Sequence, residues 1–351
     1  MARDLASIWT YFADTSCGEY SPLYDRICRT VADSDEVLDL IREAPPRAHQ
    51  PNVLLAAVHY LLLSGVEHPL AAVYAGTSGA DAGPLFLDLC LRERTRILEL
   101  LSTRHTNTNE VGRSAVLGPA LTAVAEEFGA PLALVDVGCS AGLNLLCDRY
   151  YLDYGDAGTT GPPDAAVRMS CEVVRGRPPI AEMLPTIAAR VGIDRDPVDA
   201  ANEDEARWQL ALVWPDTGRL PRTRRALEEA RRTPVQFVKG DAVETVTDVV
   251  LGLPSDSMAV VITTWALAYL MKQDRIAFRE TLAAASKTRP IAWISGEGKG
   301  VVDLFADVEV PSDAQGMMAS ILGLMLFRDG ELDGRVLGFV HPHGNWLDWR
   351  A

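Results

Sequence analysis

The feature that most constrains this chain is a short apolar run followed by a turn of small residues. The apolar run, residues 132–137, has the length of a buried strand and is interrupted near its end by Asp136. A turn of small residues follows at 138–142, and a helix-compatible segment begins at Leu143. Small residues let backbone N–H groups approach a ligand closely, beside the partial positive charge of a helix start. The pattern predicts strand, tight turn and helix around a nucleotide-like ligand.

The turn matches two kinds of functional motif. Residues 138–142 satisfy G-x-S-x-G, the nucleophile elbow of α/β-hydrolases, with Ser140 as nucleophile. They also resemble the first motif of S-adenosylmethionine (SAM)-dependent methyltransferases, an acidic residue followed by G-x-x-x-G. A hydrolase elbow normally follows several strands, whereas the chain upstream of Leu132 has helical patterns and no convincing strand. We therefore prefer the SAM interpretation, with the hydrolase and a plain strand-turn-helix of any α/β protein as alternatives.

The order of the patterns predicts the fold class. Helical spacing of apolar residues continues to about residue 129, and strand-like runs alternate with helices after it. We predict an α/β fold with a Rossmann-like, mostly parallel sheet of the class I methyltransferase type and an antiparallel terminal hairpin. The predicted domains are a helical cap at 1–105 and a SAM-binding domain at 106–351, with an insertion at about 155–188.

Acidic residues stand at the predicted strand ends, where open α/β sheets bind ligands. Asp194 is the candidate for the ribose hydroxyls, although it follows Gly142 by 52 residues (194 − 142), where about 20 are usual. Glu172 is the fallback for that role. Asp241, followed by Ala242, is placed to accept a hydrogen bond from the exocyclic amine of adenine.

Polar residues ahead of the turn complete the predicted cofactor site. Arg113 is the candidate partner for the cofactor's carboxylate and Asn109 or Glu110 for orienting it, with simple helix capping as the alternative for this segment. Thr264 and Trp265 end a buried strand and are expected to border the reacting group. The predicted cofactor-binding residues are Asn109, Arg113, Asp136, Gly138, Ser140, Ala141, Gly142, Asn144, Asp194, Asp241, Ala242, Thr264 and Trp265.

Three residues are candidates for contact with the substrate. Glu297 follows a predicted strand at 291–295 and is the carboxylate nominated for substrate contact or proton transfer. Tyr151 is close in sequence to the turn. His343 forms an i, i+2 pair with His341; because no third ligand is evident, a substrate-side role is preferred to a metal site.

Bulk properties restrict the partners and the compartment. A formal net charge of −15 disfavours a nucleic-acid partner and favours a small substrate or a protein. The longest apolar stretch, residues 53–66, is too short to cross a bilayer and is predicted to be a core helix. The amino terminus lacks a secretory pattern, and the six cysteines lack C-x-x-C and zinc spacings, so we expect reduced, buried thiols in a cytoplasmic protein.

The assembled motifs resemble a bacterial, largely actinobacterial family of unassigned function whose members look like class I methyltransferases with a helical amino-terminal extension. The resemblance is carried by 108–113, 138–145 with 148–150, Asp194 with 197–199, 207–208 with 213–215, and 341–344.

The methyltransferase likeness implies that SAM is bound at Asp136, Gly138, Gly142, Asp194 and Asp241. Ser140 and Asn144 depart from the residues found in many such enzymes, and the proline-rich signature of N-methyltransferases is absent at 264–267. The expected activity is methyl transfer from SAM to a small acceptor. The alternatives are a SAM-using cyclisation or lyase-type reaction and, less favoured, the hydrolase.

Overall fold

The structure is a computed structural model that describes residues 4–18, 20–312 and 318–351. The helical pattern predicted at residues 1–3 and 19 lies outside the described residues.

The chain divides into two compact units. The first comprises the described residues up to Thr108 together with Asn202–Arg224, and the second comprises Asn109–Ala201 and Arg225–Ala351. The predicted second domain, 106–351, includes the segment Asn202–Arg224, whereas the contacts of this segment group it with the helical unit. A helical pattern alone does not reveal which core a helix joins.

The described residues contain the following regular elements. The α-helices are α1 (Leu5–Phe12), α2 (Pro22–Ala32), α3 (Asp35–Glu43), α4 (Pro51–Leu63), α5 (Leu70–Tyr74), α6 (Ala82–Arg92), α7 (Arg94–Thr103), α8 (Ser114–Phe128), α9 (Glu203–Ala211), α10 (Leu220–Ala230), α11 (Ala242–Leu251) and α12 (Lys272–Ala285). The strands are β1 (Leu132–Val137), β2 (Tyr151–Asp153), β3 (Thr159–Thr160), β4 (Arg168–Ser170), β5 (Glu172–Arg175), β6 (Ile187–Asp194), β7 (Gln236–Lys239), β8 (Met258–Thr264), β9 (Ile291–Glu297), β10 (Ser320–Arg328), β11 (Glu331–Val340) and β12 (Trp346–Trp349).

The first unit is helical and is built around a buried aromatic and aliphatic core. Ser21 and Ser34 cap α2 and α3, because their hydroxyls accept hydrogen bonds from backbone N–H groups of the first turn. The predicted core helix is confirmed as α4, most of whose side chains are buried. Residues 85–101 belong to two helices, α6 and α7, which are joined at Glu93. Among the described residues, no helix combines the length and the apolar character needed to cross a bilayer.

A nine-stranded sheet organises the second unit. Its strand order is β5-β12-β11-β10-β9-β8-β1-β6-β7, and most neighbouring pairs are parallel. The predicted α/β class, the mostly parallel sheet and the antiparallel terminal hairpin (β10 and β11) are confirmed. After β1, the chain adds β6 and then β7 to the sheet on one side of β1. It then returns to the other side of β1, where it adds β8 and β9, so the direction of strand addition reverses between β1 and β8. A point of this kind, between β1 and β8, is where open α/β sheets bind ligands.

Helices pack against the sheet, whose central strands β1, β8 and β9 are buried along their whole length. Val135 and Trp293 share one apolar core with Val246 of α11 and with Phe278 and Leu282 of α12. Burying side chains of this size stabilises the fold by about 1.5–3 kcal/mol each. The strand predicted at 258–264 is confirmed as β8, and all six cysteines are buried and free of disulfides.

The region of the predicted insertion, residues 155–188, contributes strands to two sheets. It supplies β3 and β4, which flank β2 in a small three-stranded sheet, and then β5, which pairs with β12 at the edge of the large sheet. The predicted strand that ends in an acidic residue near Asp194 is β6, and Asp194 is its last residue.

Candidate ligand-binding site

The turn after β1 requires a glycine at its first position. Gly138 has φ +74°, and its N–H donates to the carbonyl of Ile193 at 2.8 Å. A Cβ added to Gly138 would lie 2.7 Å from the Cβ of Ala266, in the loop that follows β8. The positive φ of position 138 and the close approach of Ala266 therefore both disfavour a residue with a Cβ at this position.

Asp194 joins this turn to the end of β6. Its Oδ2 accepts from the backbone N–H of Ser140 at 2.8 Å, and its Oδ1 accepts from the N–H of Asp196 at 2.9 Å. The fallback residue, Glu172, lies on β5 at the far edge of the sheet, whereas β6 is the direct neighbour of β1. Of the two acids, Asp194 is the one at the turn, as its local pattern indicated.

The turn does not open into an α-helix. Residues Leu143–Arg149 form a 3₁₀ helix, and the N–H of Leu143 donates to the side-chain carbonyl of Asn109 at 2.8 Å. Asn144 accepts from the hydroxyl of Ser114 at 3.0 Å, so both predicted asparagines hold the turn in place. The predicted helix is therefore present at Leu143, but as a 3₁₀ helix.

Two further turn residues shape its surroundings. Ala141 is buried, and Gly142 has φ +68° with the ring of Phe237 close to the position of a Cβ. These contacts are consistent with a turn packed tightly against the end of β7.

Arg113 links three separate segments of the second unit. Its Nε donates to the carbonyl of Pro342 at 3.0 Å and its Nη1 to the carbonyl of Thr264 at 2.9 Å. Burial lowers the pKa of Arg113, while the negative charges of Glu110 and Glu297 act in the opposite direction. These two hydrogen bonds use two of the five N–H donors of the guanidinium.

Glu297 is buried at the end of β9, with only 1% of its surface exposed. Its Oε1 accepts from the backbone N–H groups of Ala266 at 3.0 Å and Leu267 at 3.1 Å. Its Oε2 has no hydrogen-bond partner among the described residues. Burial raises the pKa of Glu297 to about 6, against the opposing effects of the backbone N–H groups and Arg113. Because β9 extends to Glu297, this residue belongs to the strand and not to the loop predicted after it.

Asp136 is the second buried acid of the site, with 2% of its surface exposed. Burial raises its pKa to about 7; the charge of Asp194 adds to this shift and that of Arg113 opposes it. Arg113 and Glu297 hydrogen-bond the same backbone stretch, and the charges of Arg113 and Asp194 both act on Asp136, so these four residues lie near one another. We call Arg113, Asp136, Asp194 and Glu297 the strand-end cluster.

Trp265 is fixed where the loop leaves β8. It has φ +54°; its backbone N–H donates to the carbonyl of Gly296 at 3.2 Å, and its indole N–H donates to the hydroxyl of Ser320 at 2.7 Å. Thr264 is buried and contributes its carbonyl to Arg113.

Asp241 has structural partners at the start of α11. Its Oδ1 accepts from the N–H of Val243 at 2.9 Å, and its Oδ2 pairs with Arg195 at 2.7 Å. The hydrogen bond from Arg195 is the main cause that lowers the pKa of Asp241. Ala242 is the first residue of α11 and is partly buried. An adenine amine would share this carboxylate with Arg195.

The other predicted substrate residues are separated by the fold. Tyr151 lies on β2, and the guanidinium carbon of Arg168 is 3.7 Å from the centre of its ring, so its contacts belong to the small sheet. The backbone N–H of His343 donates to Nδ1 of His341 at 3.0 Å, within a turn that Arg113 holds through Pro342. In the part of the chain that the structure describes, no group of three His, Cys, Asp or Glu side chains is arranged for a metal ion.

A separate cleft of about 810 Å³ lies beside the small sheet. Asp153, Tyr154, Glu172 and Arg177 are among its lining residues, so it lies apart from the strand-end cluster.

Several residues of the site were missed by sequence reasoning. Ser114, Ser320 and the backbone of 266–267 hold predicted site residues through hydrogen bonds across long sequence separations. Serine hydroxyls and backbone groups carry no distinguishing local pattern, so no sequence signal identifies them.

The chain belongs to the bacterial family described as "Uncharacterized protein conserved in bacteria (DUF2332)", whose family model matches residues 6–349. No curated protein matches the chain.

Proposed function

Because the description of this family assigns no activity, we propose a function from the geometry: a SAM-dependent methyltransferase that acts on a small acceptor. The observation that carries the proposal is the strand-end cluster. The guanidinium of Arg113 and the carboxylates of Asp136, Asp194 and Glu297 lie near the glycine turn, at the end of the sheet between the neighbouring strands β1 and β8. The strand order β7-β6-β1-β8-β9 supports a Rossmann-like interpretation of the sheet, in which such a point binds nucleotide-like ligands.

The chemistry of SAM fits these groups. Asp194, partly exposed beside the turn, has lone pairs for ribose hydroxyls. Arg113 has N–H donors for a carboxylate, and Asp136 places negative charge where a cationic ligand group is favoured. Asp241 would contact adenine while remaining paired with Arg195.

The protein's part in catalysis would be alignment and exclusion of water. SAM, when bound, supplies an electrophilic methyl group. The residues of this chain have to hold an acceptor in line with that group and keep water away. Of the three predicted substrate residues, Tyr151 packs in the small sheet, so Glu297 and His343 are the candidates for taking a proton from an acceptor.

The hydrolase alternative has less support. A nucleophile elbow exposes its serine hydroxyl at the top of the sheet, whereas Ser140 is fully buried at 0% exposure. Its positive φ of +51° is shared with such elbows. Among the described residues, no strand precedes β1, which leaves no earlier strand to supply an oxyanion-hole loop. A SAM-using reaction without an acceptor needs the same pocket, and analysis of the products formed from SAM alone distinguishes it from methyl transfer.

The first experiment is calorimetry with SAM and S-adenosylhomocysteine on the wild type and Asp194→Asn. We expect the substitution to weaken both ligands by about tenfold or more, which corresponds to about 1.4 kcal/mol, because an amide replaces one of the acceptors for the ribose. The matched control is Asp333→Asn, on an exposed position of β11, which should bind as the wild type does. Failure of the wild type to bind either ligand would remove the proposal, and equal binding by Asp194→Asn would remove Asp194 from the site.

A further inference from the structure

The two oxygens of Glu297 have different surroundings. Oε1 accepts two backbone N–H groups, from Ala266 and Leu267, whereas Oε2 is buried and has no partner among the described residues. A buried carboxylate oxygen without a hydrogen bond is costly. Both hydrogen bonds to the loop after β8 are made by Oε1, so the loop contacts do not provide a partner for Oε2.

Arg113 and Glu297 hold the same short stretch of backbone. Arg113 donates to the carbonyl of Thr264, and Glu297 accepts from the N–H groups of the residues two and three positions later. Each charge also affects the pKa of the other. No ion pair between them is present among the described residues. A cation and an anion are therefore fixed near one another, each with hydrogen-bonding capacity beyond its backbone contacts.

This arrangement complements an α-amino acid group. A carboxylate accepts hydrogen bonds from a guanidinium, and an ammonium group donates to a carboxylate oxygen. Such a zwitterion would satisfy both residues at once, whereas a neutral hydroxyl would satisfy Oε2 and leave Arg113 without an anion. Asp136 is buried in the same cluster, and its charge and that of Arg113 act on one another.

We propose that Oε2 of Glu297 binds the ammonium group of an α-amino acid moiety whose carboxylate is bound by Arg113. Glu297 is then a binding residue, and not the proton acceptor in methyl transfer. The identification of this moiety as the methionine part of SAM rests on the proposed function; the recognition of an α-amino acid group does not.

The test compares ligands with and without the amino acid group on Glu297→Gln. S-adenosylhomocysteine carries the group, and 5′-methylthioadenosine keeps the nucleoside and the thioether but lacks it. The variant retains an oxygen for Ala266 and Leu267 and replaces Oε2 by an NH₂ group that would face the ammonium. We expect S-adenosylhomocysteine to bind about tenfold or more weakly and methylthioadenosine to bind within about twofold of the wild type. Glu331→Gln, on an exposed position of β11, is the control.

Two outcomes would overturn the assignment. Equal weakening of both ligands would indicate that Glu297 only supports the loop, and unchanged binding of both would remove it from the site. If Glu297→Gln fails to fold, the affinities of the wild type for S-adenosylhomocysteine and for its deaminated analogue, which keeps the carboxylate, are compared. Equal affinity for these two ligands would also exclude an ammonium contact.

A proton-release measurement provides a second readout. The pKa of Glu297, raised to about 6 by burial, should fall when an ammonium group binds beside it. Binding of S-adenosylhomocysteine at pH 6 should then release protons, seen as a heat that varies with the ionisation enthalpy of the buffer. Asp136, whose raised pKa of about 7 also lies in this range, can contribute to the release, so the Glu297→Gln variant should release fewer protons than the wild type and not none. An unchanged release would contradict the assignment.

The inference can fail separately from the proposed function. If the wild type binds neither nucleoside, the methyltransferase proposal fails, and thermal-shift measurements with the free α-amino acids and their N-acetyl derivatives test the zwitterion site alone. Stabilisation by an amino acid but not by its N-acetyl derivative would support the inference. Stabilisation by none of them would overturn it.

Discussion

At the scale of single residues, the two buried carboxylates of the strand-end cluster are expected to set the pH dependence of stability. Asp136 and Glu297 are both almost inaccessible to water, and burial raises the pKa of each, to about 7 and about 6. The native state therefore binds protons more tightly at these positions than the unfolded chain does. Protonation of these two carboxyl groups therefore stabilises the folded protein fully at pH values below the pKa values of the unfolded chain. This stabilisation is lost as the pH rises to the pKa values of the folded protein.

The variant Asp136→Asn tests this dependence. In the wild type, ionisation of Asp136 should lower the free energy of unfolding between about pH 4 and about pH 7. The asparagine does not ionise, so the variant should gain about 1 kcal/mol or more relative to the wild type above pH 7, roughly 2 °C or more in Tm, and no such gain at pH 4. Thermal melts across this range measure the difference. Parallel curves for the two proteins would contradict the raised pKa.

At the scale of elements, the close approach of two loops explains the first glycine of the turn. Gly138 and Gly129 both have positive φ, +74° and +64°. A Cβ at Gly138 would lie 2.7 Å from that of Ala266, whereas a Cβ at Gly129, at the end of α8, would meet nothing within 4 Å. The two positions therefore separate backbone strain from steric contact.

The variants Gly138→Ala and Gly129→Ala form a matched pair. Gly129→Ala should cost about 1–2 kcal/mol, because alanine is strained at positive φ. Gly138→Ala should cost more than this, by about 1 kcal/mol or more, because the loop after β8 must also shift. Chemical denaturation measures both values. Similar costs would show that the contact with Ala266 is easily relaxed.

At the scale of the whole molecule, a segment distant in sequence completes the helical unit. The ring of Trp214 lies 5.8 Å from that of Phe12 and 5.3 Å from that of Tyr24. Asp216 accepts hydrogen bonds from the hydroxyl of Ser21 and the N–H of Leu23, at the start of α2. The helical unit therefore depends on residues that follow β6 in the chain.

The variant Trp214→Ala should destabilise the helical unit selectively. Loss of the partly buried ring should cost about 2 kcal/mol or more and raise hydrogen exchange in α1 and α2, with little change in β1 and β8. Phe327→Ala, in the buried strand β10, is the counterpart and should raise exchange in the sheet but not in α1 and α2. A rise in both units with either variant would show that they unfold as one cooperative unit.

The sequence was most informative where structure depends on neighbouring residues. The apolar runs of β1 and β8, the glycine turn and the terminal hairpin were all predicted from local pattern. Asp194 was also found locally, despite its unusual distance from the turn. In contrast, α6 and α7 are divided at Glu93 without a glycine or proline, so no local residue type marked the break.

The sequence by itself determined the α/β alternation, the glycine turn after β1 and the position of Asp194 at a strand end, because periodicity and glycine chemistry act over a few residues. Only the tertiary structure decided the partners of these groups. Arg113 donates to carbonyls 151 and 229 residues away, and Glu297 accepts from backbone N–H groups of a loop about 30 residues earlier in the chain. Backbone carbonyls and N–H groups are chemically alike along the chain, so only the folded arrangement selects which of them a buried side chain meets.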